Sequence, residues 1–227
     1  MLWAIPNVAG RFTVWLYGRL RTGRYVLPMS QKRVSGWKDY DRAILEKGLV
    51  LRDRVYYLRK RLDLTFFNSL DCVYVKTAPR HYAVNGPDMS FFLLGTSMIC
   101  CCIEALGAFV TGATSTNRIQ NKAKFKAFMT AYMPQWQANG TDVPDWMYEN
   151  LRNSLAHGFW IKDGGMEDLG KQRLRLVPPQ GILVHAELLY SDLKEAVERY
   201  FAELESGTNA GLVTNFENRF KNIYETF

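Results

Sequence analysis

The stretch FFLLGTSMICCCIEALGAFV, residues 91–110, is 20 residues long and carries one charge, Glu104. Its length suits a bilayer crossing. Its interior does not: Glu104 sits inside the apolar run, Gly95, Thr96 and Ser97 dilute it, and no comparable segment occurs elsewhere to partner it. An ionised carboxylate in hydrocarbon costs several kcal/mol. A helix that is apolar all round and carries one buried acid belongs at the centre of a helical bundle, and that is the expected state.

The segments on either side fit such a bundle. Downstream, polar residues 114–117 separate the apolar helix from a helix of about 16 residues ended by Pro134. In that helix Phe125, Phe128, Met129 and Tyr132 face inward, and Arg118, Lys122, Lys124 and Lys126 face out. Asn139, Gly140 and Thr141 make a turn, and Asp142 with Pro144 marks the next helix start. This helix places Met147, Leu151 and Leu155 at i, i+4 and i+8 and meets a natural stop at Gly158. Alternating runs 173–177 and 182–185, joined by Pro178-Pro179-Gln180-Gly181, read as a hairpin. Leu189, Leu193, Val197, Phe201 and Leu204 define a further amphipathic helix ended by Gly207, and Phe216, Phe220, Ile223 and Phe227 define a last one.

Upstream, Ile44, Leu51, Val55, Leu58 and Leu62 recur at helical spacing between Trp37 and about Asp63, with Arg52, Arg54, Arg59, Lys60 and Arg61 on the surface of that helix. Residues 64–88 read as a connection. The sum is an all-α chain, a helical bundle of five or six helices with a small β-hairpin insertion over residues 37–227.

Residues 1–36 differ in character. Trp3, Phe12, Trp15, Tyr17 and Tyr25 alternate with arginines, and Gly10, Gly18, Gly23 and Pro28 break any long period. Of 29 Lys+Arg, seven lie in the first 38 residues, where no acid occurs; the remaining 22 balance the 22 Asp+Glu. The whole excess of +7 therefore sits at one end. A basic, aromatic-rich arm suits a polyanionic partner, nucleic acid or a membrane surface, or is simply a solvated basic face; on the nucleic-acid reading Arg11, Arg19, Arg21 and Arg24 are the candidate contacts to an RNA backbone.

Composition closes other classes. With 48% apolar, 14% aromatic and 22% charged residues, the chain has the make-up of a globular protein. Cys100, Cys101 and Cys102 are adjacent and point about 100° apart on a helix, so they cannot converge on one metal ion, and Cys72 stands alone. Small thiols without a pairing pattern suit a reducing, cytoplasmic setting. The start, MLWAIPNVAG, lacks a cationic lead and meets Arg11 early, unlike a signal peptide. No phosphate loop, HExxH, GxSxG or Cys/His zinc pattern is present. Neither a metal nor a cofactor is expected.

Chemistry concentrates in Leu151-Arg152-Asn153-Ser154-Leu155-Ala156-His157-Gly158. Histidine is the one side chain here that exchanges a proton near neutral pH, so His157 suits acid or base work. Its place in the last helical turn favours a cation. Arg152 stays protonated, and its planar fork matches a phosphate in bidentate contact. Asn153, four residues before His157, can orient the ring or the phosphate. Glu104 needs a counter-charge or a proton in its apolar helix, and Arg152 is the candidate partner. The same cluster could instead cap the bundle and satisfy helix-end carbonyls.

The pairing of an Arg-Asn…His motif with an acid in an upstream apolar helix resembles the HEPN superfamily of helical-bundle proteins. Arg152, Asn153 and His157 carry the motif, Glu104 matches the acid, and the likeness spans about residues 88–206. The resemblance implies a metal-independent endoribonuclease that cuts RNA through its ribose 2′-hydroxyl and leaves a cyclic phosphate. It further implies a homodimer whose two motifs share one cleft, a toxin or antiviral defence role, and control by an antitoxin or other regulatory protein. Members that have lost catalysis imply the alternative, a module that binds RNA, a nucleotide or a protein.

Overall fold

A helix apolar on every side needs cover from several neighbours, and the structure supplies it except along one edge, where Leu94, Cys101 and Ala105 stay exposed. The structure, a computed structural model, describes residues 50–71, 74, 89–114, 117–138, 140–158, 161–167, 169–178 and 181–224. The apolar stretch forms α2, Met89–Thr111. It packs against α3 (Arg118–Tyr132), α5 (Ala186–Ser206) and α6 (Ala210–Tyr224). Ile99, Cys100, Cys102, Ile103, Leu106 and Phe109 are buried. The window Leu93–Thr111 is long and apolar enough to cross a membrane by length and composition, with mean hydropathy 1.9, and 56% of it is buried inside the protein. Gly107 makes the tightest contact: a Cβ there would lie 1.9 Å from the Lys124 carbonyl oxygen, so glycine alone lets the α3 backbone come this close.

The chain is mostly helical with a small sheet, as its periodicity predicts. Among the described residues α1 (Leu51–Leu62) packs on α5 and α6. Helix α3 starts behind Asn117, whose side chain accepts from the Gln120 backbone N–H, and buries all four of its expected inward residues. The helix α4 runs as three consecutive stretches, Val143–Trp146, a π-helical Met147–Asn153, and Ser154–Gly158. Helix α5 buries Leu189, Leu193, Val197, Phe201 and Leu204 and ends at Gly207 with φ +65°. Helix α6 buries Leu212, Phe216 and Phe220.

Four details depart from expectation. Lys124 is not on the outer face; it is 4% exposed, and its amine donates to Asn121 Oδ1 at 3.1 Å. Burial lowers its pKa, with the Arg219 charge acting in the same direction. Arg54 is 8% exposed and pairs with Glu217 at 2.9 Å, fastening α1 to α6. Residues 64–71, expected as connection, continue α1 through a π-helical Asp63–Phe67 into Asn68–Asp71, because Phe67 and Leu70 have a core to enter.

The fourth concerns the hairpin. Strands β2 (Leu174–Val177) and β3 (Gly181–Val184) do pair antiparallel, with Leu174 opposite Val184. A third strand, β1 (Gly164–Met166), joins β3 in parallel, Gly164 opposite Ile182, giving the order β1-β3-β2. Asp192, buried in α5, ties this sheet to the bundle by accepting from Trp136 Nε1 at 2.8 Å and Arg173 Nε at 2.7 Å. Residues 1–49, including the expected domain boundary at 36/37, lie outside the described residues.

Candidate functional site

The geometry of α4 follows from its two faces. Asp142 accepts from the Asp145 N–H at 3.0 Å and Pro144 occupies the first turn, so the start is fixed. Met147, Leu151 and Leu155 are all buried at 1% exposure or less. In a regular α-helix residues four apart drift about 40° around the axis at each step. The wider π-helical turn over Met147–Asn153 offsets that drift and keeps the three on one side. Ser154 Oγ donates to the Glu149 carbonyl, five residues back, at 3.4 Å across this turn. Such segments inside α-helices recur at functional sites. With the apolar side turned in, Arg152, Asn153 and His157 are left facing a cleft.

Arg152 is held from three directions. Its Nε lies 2.7 Å from Glu104 Oε2 on α2. Both atoms are buried and the N–H is not aimed along the line, so the contact is one of charge rather than an aligned hydrogen bond. Arg152 Nη1 donates to Asn153 Oδ1 at 3.0 Å, and the guanidinium carbon stands 5.6 Å from the centre of the Tyr148 ring. Among the described residues nothing accepts a hydrogen bond from Nη2. The side chain is 20% exposed, that of Glu104 16%. An ion pair this sheltered from water is screened less than a surface pair.

The cleft has a volume of about 550 Å³ and is lined by Arg118, Tyr148, Glu149, Arg152, Asn153 and His157, with Asn121, Asn150, Ser154 and Lys162 completing it. His157 is exposed and makes no hydrogen bond among the described residues. Glu149 sits at the centre of a polar network. Its Oε2 accepts from Arg118 Nη2 at 2.7 Å and Asn153 Nδ2 at 3.2 Å, and its Oε1 from Lys122 at 3.1 Å. Burial pushes the Glu149 carboxyl up, but the hydrogen bonds from Arg118 and Lys122 outweigh it and hold the group below its ordinary value. The network runs on from Lys122 to Asp145 at 2.7 Å, and Lys126 bridges Asp145 and Asp142. Charge thus alternates from Glu104 across to the start of α4.

Every motif residue named from the sequence falls at this place. Arg152, Asn153 and His157 line the cleft; Glu104 stands behind Arg152 without lining it. Arg11, Arg19, Arg21 and Arg24 lie outside the described residues. Among the described residues no group of His, Cys, Asp and Glu could hold a metal ion. Glu149, Arg118 and Lys162 are not legible as site residues in the sequence. The available signal is that Glu149 precedes Asn153 by one helical step; Arg118 reads only as one of four outward cations, and Lys162 is isolated in a loop. Comparison of the chain with protein-family models, with curated proteins and with solved structures gives no match in any of the three.

Proposed function

We propose that the protein is a metal-independent endoribonuclease whose active cleft is built on Arg152, Asn153 and His157. The observation that carries this is their common placement on one open wall, with an unsatisfied guanidinium N–H and an imidazole on the same space. Arg152 Nη2 suits a phosphate oxygen and the charge that builds there in the transition state. His157, as imidazolium, gives its proton to the 5′-oxygen as the P–O5′ bond breaks. The 2′-oxygen, having lost its proton to a base, bonds to phosphorus, which leaves a cyclic phosphate and a free 5′-hydroxyl. Glu104 holds Arg152 by charge and touches no substrate, so it is a positioning residue.

Among the described residues the cleft of one chain contains one imidazole. Acid and base are both needed, so the same histidine of a second copy is proposed to stand across the gap as base, in a homodimer. That single imidazole also favours the second reading, a module that grips RNA or a nucleotide with Arg152 and His157 and cuts nothing. The arm carrying Arg11, Arg19, Arg21 and Arg24 is proposed to hold the strand, and a cytoplasmic toxin or defence role under a regulatory partner fits such an activity. Incubating the protein with RNA in excess chelator separates the readings. Strand cutting that is lost in His157→Ala selects the enzyme, and binding without cutting selects the module.

A further inference from the structure

The Asn153 amide lies between two groups that each accept one orientation only. Arg152 has donors and no acceptor, and it donates to Oδ1 at 3.0 Å. Glu149 as a carboxylate has acceptors and no donor, and it receives Nδ2 at 3.2 Å. A flipped amide would set N–H against N–H and oxygen against carboxylate, so neighbouring chemistry fixes which end is which. Nδ2 carries two hydrogens. Glu149 uses one, and nothing among the described residues accepts the other.

A carboxylate on the wall of an anion-binding cleft is at first sight misplaced. Arg118 at 2.7 Å and Lys122 at 3.1 Å remove the difficulty, since the three side chains together carry one positive charge. The same two cations keep Glu149 ionised well into mildly acidic conditions, so it remains a pure acceptor there.

We propose that Glu149 is a positioning residue for phosphate recognition, orienting Asn153 so that its second N–H, together with Arg152 Nη2, meets the oxygens of a strand phosphate. The inference rests on the reading of the cleft as an RNA site and adds to it the reason Asn153 is an amide. Asp would repel Glu149, and an apolar residue would take the acceptor from Arg152 Nη1 and one of three donors from Glu149.

The test follows the Asn153 side-chain amide by 15N NMR, assigned by its loss in Asn153→Asp, in wild type, Glu149→Ala and Glu149→Gln. The probe is a 2′-O-methyl oligonucleotide, which lacks the attacking hydroxyl and is not cut. In wild type the two amide protons are expected to be well separated, and one of them to move when the oligonucleotide is added. In Glu149→Ala the separation should collapse and oligonucleotide affinity fall about tenfold, the scale of one hydrogen bond to a charged group. Turnover on unmodified RNA should fall alongside. Glu149→Gln, whose carbonyl still accepts from Asn153, should recover part of each and guards against a variant that does not fold. Unchanged amide signals and affinity within twofold of wild type in both variants would overturn the role of Glu149 while leaving the RNA site standing. A wild type that neither binds nor cuts overturns both.

Discussion

Arg152 gathers most of the physics of the site: a carboxylate from a different helix, an amide from its own, a ring beneath it and an Nη2 that nothing among the described residues meets. On the ribonuclease reading, Arg152→Ala should lower turnover about 100- to 1,000-fold, as loss of a transition-state donor does. Glu104→Gln acts only through Arg152, so it should cost about tenfold in wild type. Added to Arg152→Ala it should cost nothing further; additive losses in the double variant would show that Glu104 has a role of its own. Glu149 makes a pH prediction. Its native pKa lies below its ordinary value of 4.5, so its contribution to stability is fully present above that value and is lost as pH falls through the lower native one. Asp142, lowered from 3.8 despite its partial burial by hydrogen bonds from Lys126 and the Asp145 N–H, acts in the same sense. Thermal melts from neutral pH down to about 3 should fall more steeply in wild type than in Glu149→Gln. Parallel curves would contradict this.

At the scale of elements, α3 and α4 line the cleft and α2 backs it with Glu104, and α2 and α4 each carry one local irregularity. For α2 it is Gly107, where α3 touches backbone to backbone. Gly107→Ala should destabilise the fold by about 2 kcal/mol or more, since the backbone of α3 cannot yield as a flexible side chain would. In a melt each kcal/mol is about 2–4 °C for a chain of this size. An unchanged melting temperature would mean that α2 and α3 are not so closely joined. For α4 the irregularity is the π-helical turn that brings Arg152 and Asn153 to the cleft wall. The apolar stripes of α3, α5 and α6 are visible in sequence because period and burial agree there, and α2 because its apolar run is nearly unbroken. The π-helical turn is not visible, since Met147, Leu151 and Leu155 read the same in either helix. Strand β1 is hidden for another reason: Gly164 and Gly165 offer no side-chain pattern, and the close approach of Gly164 to the Ile182 carbonyl and the Trp146 ring explains a glycine there. Lys124 and Arg54 defeat the rule that cations face water because each finds a polar partner inside.

At the scale of the molecule, the motif is legible as residue types at a spacing, and its pairing with Glu104 as the need of an acid in an apolar helix. The surrounding layer, Glu149 with Arg118 and Lys122, is not, because its parts come from two helices whose relative rotation no local pattern encodes. The charge asymmetry makes a prediction for the full chain. Changing Arg11, Arg19, Arg21 and Arg24 together to Gln should flatten the slope of log affinity for single-stranded RNA against log salt by about 3, or about 0.7 for each phosphate no longer neutralised. An unchanged slope would remove the arm from the RNA interface. Whether the cleft cuts RNA without a metal is read from 31P NMR of RNA incubated with the protein in excess EDTA. A cyclic phosphate resonance should grow with wild type and be absent with His157→Ala. No such resonance with wild type, or the same resonance with His157→Ala, would contradict metal-free cutting at this cleft.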